Sequence, residues 1–234
     1  MSYSPSFSLC LRPVRRGAFL VVTGGLLALA APAVRAQQSY VSPKIEQFAQ
    51  KHRKLAALPF AVTLELRPAE VARMGGPRGL EDAQEREGYR IQEYLTAYLQ
   101  DLKNSKKLTV EVVPSSEVNQ KLQAAGIGPE NLSQHSYAGL AKLAGADGLL
   151  NGTYLSTQPI STGAAIGVMA LTGFSMPTNT GQLSMSLNDG PTGELLWKYD
   201  KSLSRDLGSD THSVIYTIMR KAERQFPYAK GYKR

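Results

Sequence analysis

Apolar residues return at three- and four-residue steps between Glu85 and Leu102. Tyr89, Ile91, Tyr94, Leu95, Tyr98, Leu99 and Leu102 share one stripe, which predicts an amphipathic helix with that stripe against a core. The same period over Asp210–Phe226 sets Val214, Ile215, Ile218, Met219 and Ala222 on the inner face of a final helix. Two shorter helices are predicted between them. One opens at Pro114, capped by Ser115 or Ser116, and stops at Gly126; the other covers Ser136–Leu143 and ends at Gly145. A further short helix is expected within Lys44–Lys54, with Ile45, Phe48 and Ala49 on one side.

Alternating and β-branched runs predict the strands. Leu55–Leu66 is one, interrupted at Pro59, whose nitrogen carries no proton to donate to a ladder. Leu108–Val113 and Asp147–Ser156 are two more. Gly181–Asn188 and Glu194–Leu203 form a hairpin around Asp189-Gly190-Pro191-Thr192-Gly193, residue types that tolerate a tight turn. Gln37–Pro43 reads as a loose linker. Arg67–Leu80, with two prolines and three glycines, reads as a loop, and the basic tail 227–234 as disordered. Strands and helices alternate in the first half and strands follow one another in the second. This order predicts an α/β domain over 55–226: a mixed sheet with a βαβ first half, an antiparallel hairpin second half, and helices packed against it.

The N-terminus changes the compartment. Arg12, Arg15 and Arg16 precede an apolar stretch, Ala18–Ala31, and Ala-Val-Arg-Ala ends at Ala36. That is the form of an export signal over 1–36, shorter than the roughly 20 apolar residues of a spanning helix. The single cysteine, Cys10, lies inside this signal, so a mature chain starting at Gln37 holds no disulfide, no thiol nucleophile and no cysteine for a lipid anchor. The formal charge of +8 loses four with Arg12, Arg15, Arg16 and Arg35. The remaining basic residues are scattered, which argues against nucleic acid as a partner.

Candidate chemistry is sparse. His52, His135 and His212 lack ligand spacing, no G-x-S-x-G elbow occurs, and Gly75–Gly79 lacks the lysine and hydroxyl of a phosphate loop. No cofactor and no catalytic residue is expected. Asp189 and Glu194 flank a turn and are expected to organise it. The uncharged insert 159–177 is the candidate contact surface, through Ile166, Val168, Met169, Leu171 and Phe174. Its alternatives are a membrane-dipping loop and an element tucked on the domain's own core.

Three motifs in order carry a family resemblance. Leu55-Ala56-Ala57-Leu58-Pro59-Phe60, Ala144-Gly145-Ala146-Asp147-Gly148-Leu149-Leu150-Asn151-Gly152-Thr153 and Asp189-Gly190-Pro191-Thr192-Gly193-Glu194-Leu195-Leu196-Trp197 resemble strands and a hairpin of the CsgG and TolB N-terminal-like superfamily. Pro59, Gly145, Asp147, Asp189, Gly193 and Trp197 then have scaffold roles. Trp197 is expected to bury its ring beside the final helix. The resemblance implies a non-enzymatic periplasmic or outer-membrane-associated component of an assembly or secretion system, with protein partners or a homo-oligomeric ring of its own. A soluble peptide- or glycan-binding accessory protein and a hydrolase with an unrecognised site are the alternatives. The missing lipid-bearing cysteine and the single apolar excursion set the chain apart from pore-forming members.

Overall fold

The computed structural model describes residues 38–157, 179–205 and 211–232. The export signal, the insert 159–177 with its five contact candidates, and Asp210 lie outside the described residues.

Seven strands form one mixed sheet: β1 (Gln38–Val41), β2 (Lys54–Ala57), β3 (Ala61–Glu65), β4 (Glu111–Val112), β5 (Gly148–Thr157), β6 (Asn179–Asp189) and β7 (Leu195–Arg205). Their order is β1-β7-β6-β5-β2-β4, with β3 also on β5. Pairing is parallel for β2 with β4 and β5 and for β3 with β5, and antiparallel across β5, β6, β7 and β1. Among the described residues the helices are α1 (Ile45–Lys51), α2 (Pro68–Arg73), α3 (Pro77–Asn104), α4 (Ser115–Ala124), α5 (Tyr137–Ala144) and α6 (Thr211–Ala222). The expected mixed α/β sheet with a parallel first half and an antiparallel second half is the architecture observed.

The sheet is buried on both faces by different helices. Leu150, Tyr154, Leu183, Met185, Leu187, Trp197 and Tyr199 pack with α1, α3, α6 and the C-terminal segment. Ala56, Leu58 and Leu149 pack with α4 and α5. Strand alternation divides the two cores: adjacent Leu149 and Leu150 serve opposite faces. Both clusters contain residues of β2, which is why that strand reads as an unbroken apolar run.

Pro59 sits at a jog in the parallel region. Ala57 pairs with Leu150 and Ala61 with Thr153, so four steps on one strand match three on the other. The extra residue is accommodated at Leu58-Pro59-Phe60, with Leu58 N donating to Leu150 O at 2.8 Å and Phe60 N turned to Gly88 O of α3 at 3.2 Å.

Several local expectations are corrected. The 37–43 linker contributes an edge strand, β1, which runs from Gln38 opposite Asp200 to Val41 opposite Trp197. The 67–80 loop is largely helical. Pro68 and Pro77 each occupy the start of a helix, where the missing amide proton costs nothing, and the Glu70 carboxylate accepts from the Arg67 amide. Pro114, not Ser115 or Ser116, holds the N-cap position of α4, and no side chain caps it. By contrast Ser136 Oγ accepts from Gly139 N at 3.2 Å, and Gly145 closes α5 in the left-handed region.

The basic tail is the largest correction. Phe226 and Tyr228 are fully buried, and residues 107–109 pair with it: Thr109 N donates to Tyr228 O and Lys230 N to Lys107 O. The predicted strand Leu108–Val113 is thus divided: Glu111–Val112 pairs with β2, and Leu108 bridges Ala229 of the tail.

Candidate functional site

Two places collect polar side chains: a closed cluster in the core and an open groove on the surface. The closed cluster joins His52, at the end of α1, to Asp189, at the end of β6, and Tyr228 in the tail. His52 Nε2 lies 2.8 Å from Asp189 Oδ1, and Nδ1 meets the Tyr228 hydroxyl. His52 and Asp189 are 5% and 4% exposed, too little for a substrate to reach them. One ring tautomer satisfies both neighbours: Tyr228 donates to Nδ1 and Nε2 donates to the carboxylate. Asp189 Oδ2 accepts from the amide and hydroxyl of Thr192, which folds the β6–β7 turn, and Gly193 takes φ 72° within it. Burial pushes the Tyr228 phenol far above its ordinary range, so it stays a donor.

Burial also pushes the Asp189 carboxyl up, but its bonds from Thr192 and His52 outweigh this and hold it below the usual range. A carboxylate depressed on folding stabilises above its unfolded pKa, and the contribution is lost as pH falls through the folded value. The expected thermal midpoint is therefore insensitive to Asp189 from pH 7 down to about 5 and falls in acid below about pH 4. Asp189→Asn should show a shallower acid fall when both are followed by calorimetry; equal slopes would remove the ionised carboxylate from the account.

Asp147 is likewise spent on backbone: its Oδ2 accepts from Arg53 N at 2.7 Å and Lys54 N at 2.9 Å, fixing the start of β2. Trp197 is fully buried, stacked on Tyr199 at 5.9 Å and edge-on to Phe226 at 5.3 Å. Pro59 lies in the groove wall described next. Gly145, Asp147, Asp189, Gly193 and Trp197 thus stand around helix ends, turns and core. The Glu194 carboxylate is paired with Lys44 at 3.1 Å and not with Asp189.

The open groove has a volume of about 750 Å³. Its apolar wall is the jog Leu58–Val62 with Pro129, Leu132 and Leu140. Its floor is two cross-strand pairs, Asn151 opposite Ser186 and Thr153 opposite Ser184. Asn151 Nδ2 donates to Tyr137 Oη at 2.7 Å, which leaves the phenol proton free to donate. Glu81, Asp82 and Glu85 from the first turns of α3 and Glu130 from the α4–α5 connection stand at its rim, and no lysine or arginine lines it. Burial first, then the charges of Glu85 and Glu130, raise the neighbouring Tyr89 phenol, so both carboxylates bear on one place. His135 lines the groove and is exposed; His212, at the start of α6, packs edge-on to Tyr94 of α3. Among the described residues no three of His, Cys, Asp and Glu are grouped to hold a metal ion, and no helix is long and apolar enough to cross a membrane.

No protein-family model matches this chain, and no curated protein matches it. Solved structures do. The lipoprotein GNA1162 from Neisseria meningitidis is similar at 12% identity over 74% of this chain and 96% of that one, with a TM-score of 0.41. The PelC dodecamer from Paraburkholderia phytofirmans is similar at 12% identity over 82% and 96%, TM-score 0.39. Escherichia coli LpoB is similar at 15% identity over 87% and 83%, TM-score 0.37.

Sequence reasoning missed the groove and the His52 cluster. The first is assembled from five separated segments and has no motif. The second had one signal: an aromatic residue, Tyr228, in a tail otherwise read as basic and loose.

Proposed function

We propose that this chain is a non-enzymatic, exported component of a cell-envelope assembly or secretion system and works by protein–protein contact, self-association into a ring included. The observation that carries this reading is the use to which the buried ionisable groups are put. His52, Asp189 and Tyr228 bond to one another and to a turn, and the half-buried Asp147 likewise bonds to backbone amides. A reactive centre needs such groups turned toward substrate; here they hold the scaffold, and the surface is left to act. The ordered trio of sequence motifs supports the same reading. Contact through Ile166, Val168, Met169, Leu171 and Phe174 of the insert is part of the proposal, on the argument that a long uncharged excursion exposes apolar surface to a partner or a membrane. The soluble accessory reading draws on the open groove.

Fractionation and light scattering test it. The protein is expected in the periplasmic or outer-membrane fraction, at a mass several times that of the single chain. A cytoplasmic protein, or a strict monomer indifferent to detergent, would overturn the proposal.

A further inference from the structure

We infer that the groove between the jog at Pro59 and the first turns of α3 binds an extended peptide segment of a partner protein carrying lysine or arginine beside apolar residues. The inference rests on the contact reading above and adds the chemistry of the partner.

The cavity comes first. About 750 Å³ falls within the range of sites that enclose a drug-sized ligand. The chain carries a formal charge of +8, yet Glu81, Asp82, Glu85 and Glu130 stand round this one opening with no cation among the lining residues. No ion pair engages any of the four among the described residues. Their like charges raise the cost of leaving the groove empty and fall in energy when a cation enters. Anionic occupants, nucleic acid and lipid headgroups among them, are repelled.

Size and wall chemistry narrow the cation. A simple polyamine has no apolar side chain to set against Leu132 and Val62. A sugar chain seeks broad open aromatic faces, but Phe60 is fully buried, which leaves the half-buried Tyr137 and the small imidazole of His135. A peptide supplies all three complements: ammonium or guanidinium for the rim, aliphatic side chains for the wall, and backbone amides for the Thr153, Ser184 and Ser186 hydroxyls and the Tyr137 proton.

The test uses the purified protein and a labelled eight-residue probe in which lysines alternate with leucine and serine. Controls replace its lysines with glutamate or its leucines with serine, and a glucosamine oligomer of similar charge competes. Saturable micromolar binding is expected at low ionic strength, weaker with added salt. Combining Glu81→Gln, Asp82→Asn and Glu85→Gln should weaken it on the order of tenfold or more. These side chains are exposed, so the variant's unfolding midpoint should stay near that of the parent. Leu132→Gln should weaken the leucine-bearing probe and leave the serine control unchanged. Four results would overturn the inference: no saturable binding, binding indifferent to the charge substitutions, tighter binding of the glucosamine oligomer, or a drop in the protein's own mass on neutralising the rim, which would place a second copy in the groove. An unsubstituted protein that has its expected oligomer mass but does not bind the probe would sink this inference alone and leave the proposed function standing.

Discussion

Replacing His52 with alanine is expected to lower stability by about 2–5 kcal/mol, because it leaves two buried polar partners, a carboxylate oxygen and a phenol, without their hydrogen bonds. The imidazole is the middle member of a chain that runs from Tyr228 to Asp189 and on to Thr192. Without it, Asp189 keeps its bonds from Thr192 but loses the one on Oδ1, inside a site only 4% exposed. The Tyr228 hydroxyl is stranded at the same time, and an unsatisfied buried polar group costs about 1–3 kcal/mol by itself. The loss also reaches across the fold, because the three residues bring together the end of α1, the β6–β7 turn and the C-terminal segment. Trp197 is the sole tryptophan and is fully buried beside Phe226, so its fluorescence reports unfolding in denaturant directly. Tyr228→Phe should cost less, about 1–3 kcal/mol, since only His52 Nδ1 is left without its bond. The double variant should fall short of the sum of the two singles by a coupling of roughly 0.5–3 kcal/mol. Strict additivity, or a His52→Ala midpoint within error of the parent, would mean that the three side chains do not act as a unit.

That cluster also marks where a reading of the sequence stops. The α3 stripe from Ile91 to Leu102 and the hairpin around Asp189–Gly193 are written in neighbouring residues, and their periodicity or turn chemistry exposes them. Pro59 marked an interruption that the structure resolves as one extra residue against β5. His52 meets partners 137 and 176 residues away, and no local period carries such a pairing. The β1 strand failed for the same reason: Gln38–Val41 has polar residues because it lies at a sheet edge, and only β7 makes it a strand. In 67–80 the prolines read as breakers by composition, yet both stand at helix starts, where they are tolerated. The groove has a legible trace in Glu81, Asp82 and Glu85, three acids within five positions of a basic chain. Its wall and floor come from 58–62, 129–140, 151–153 and 184–186, which only the folded sheet brings together.

The second large effect is expected at Gly88, where alanine should destabilise although it lies in the interior of a 28-residue helix. An exposed helical glycine gains roughly 1 kcal/mol from this substitution, because alanine has less conformational freedom to lose. Gly88 is buried, and a methyl group there would be driven into the Phe60 carbonyl oxygen. That oxygen belongs to backbone and cannot swing aside as a flexible side chain would. Moving it disturbs the Phe60 N to Gly88 O bond and the jog that also carries Pro59. Gln92, one turn further on, donates to Ala57 O at 2.8 Å, and Gln84, one turn back, accepts from Leu64 N at 2.9 Å. The helix therefore holds the strand at three successive turns, and the strand cannot retreat without straining the other two. Overpacking of this kind typically costs about 1–3 kcal/mol, enough to overturn the propensity gain. Each net kcal/mol should lower the melting midpoint by about 2–4 °C in a domain of this size. The sign decides the matter: a midpoint raised by Gly88→Ala would show that α3 does not rest on the Phe60 carbonyl. Phe60 and Pro59 line the groove and Glu85 stands at its rim, so the contact that seats α3 also sets the spacing between apolar wall and carboxylates. A helix pushed off the jog by one methyl group should widen that gap, and probe binding should weaken together with stability.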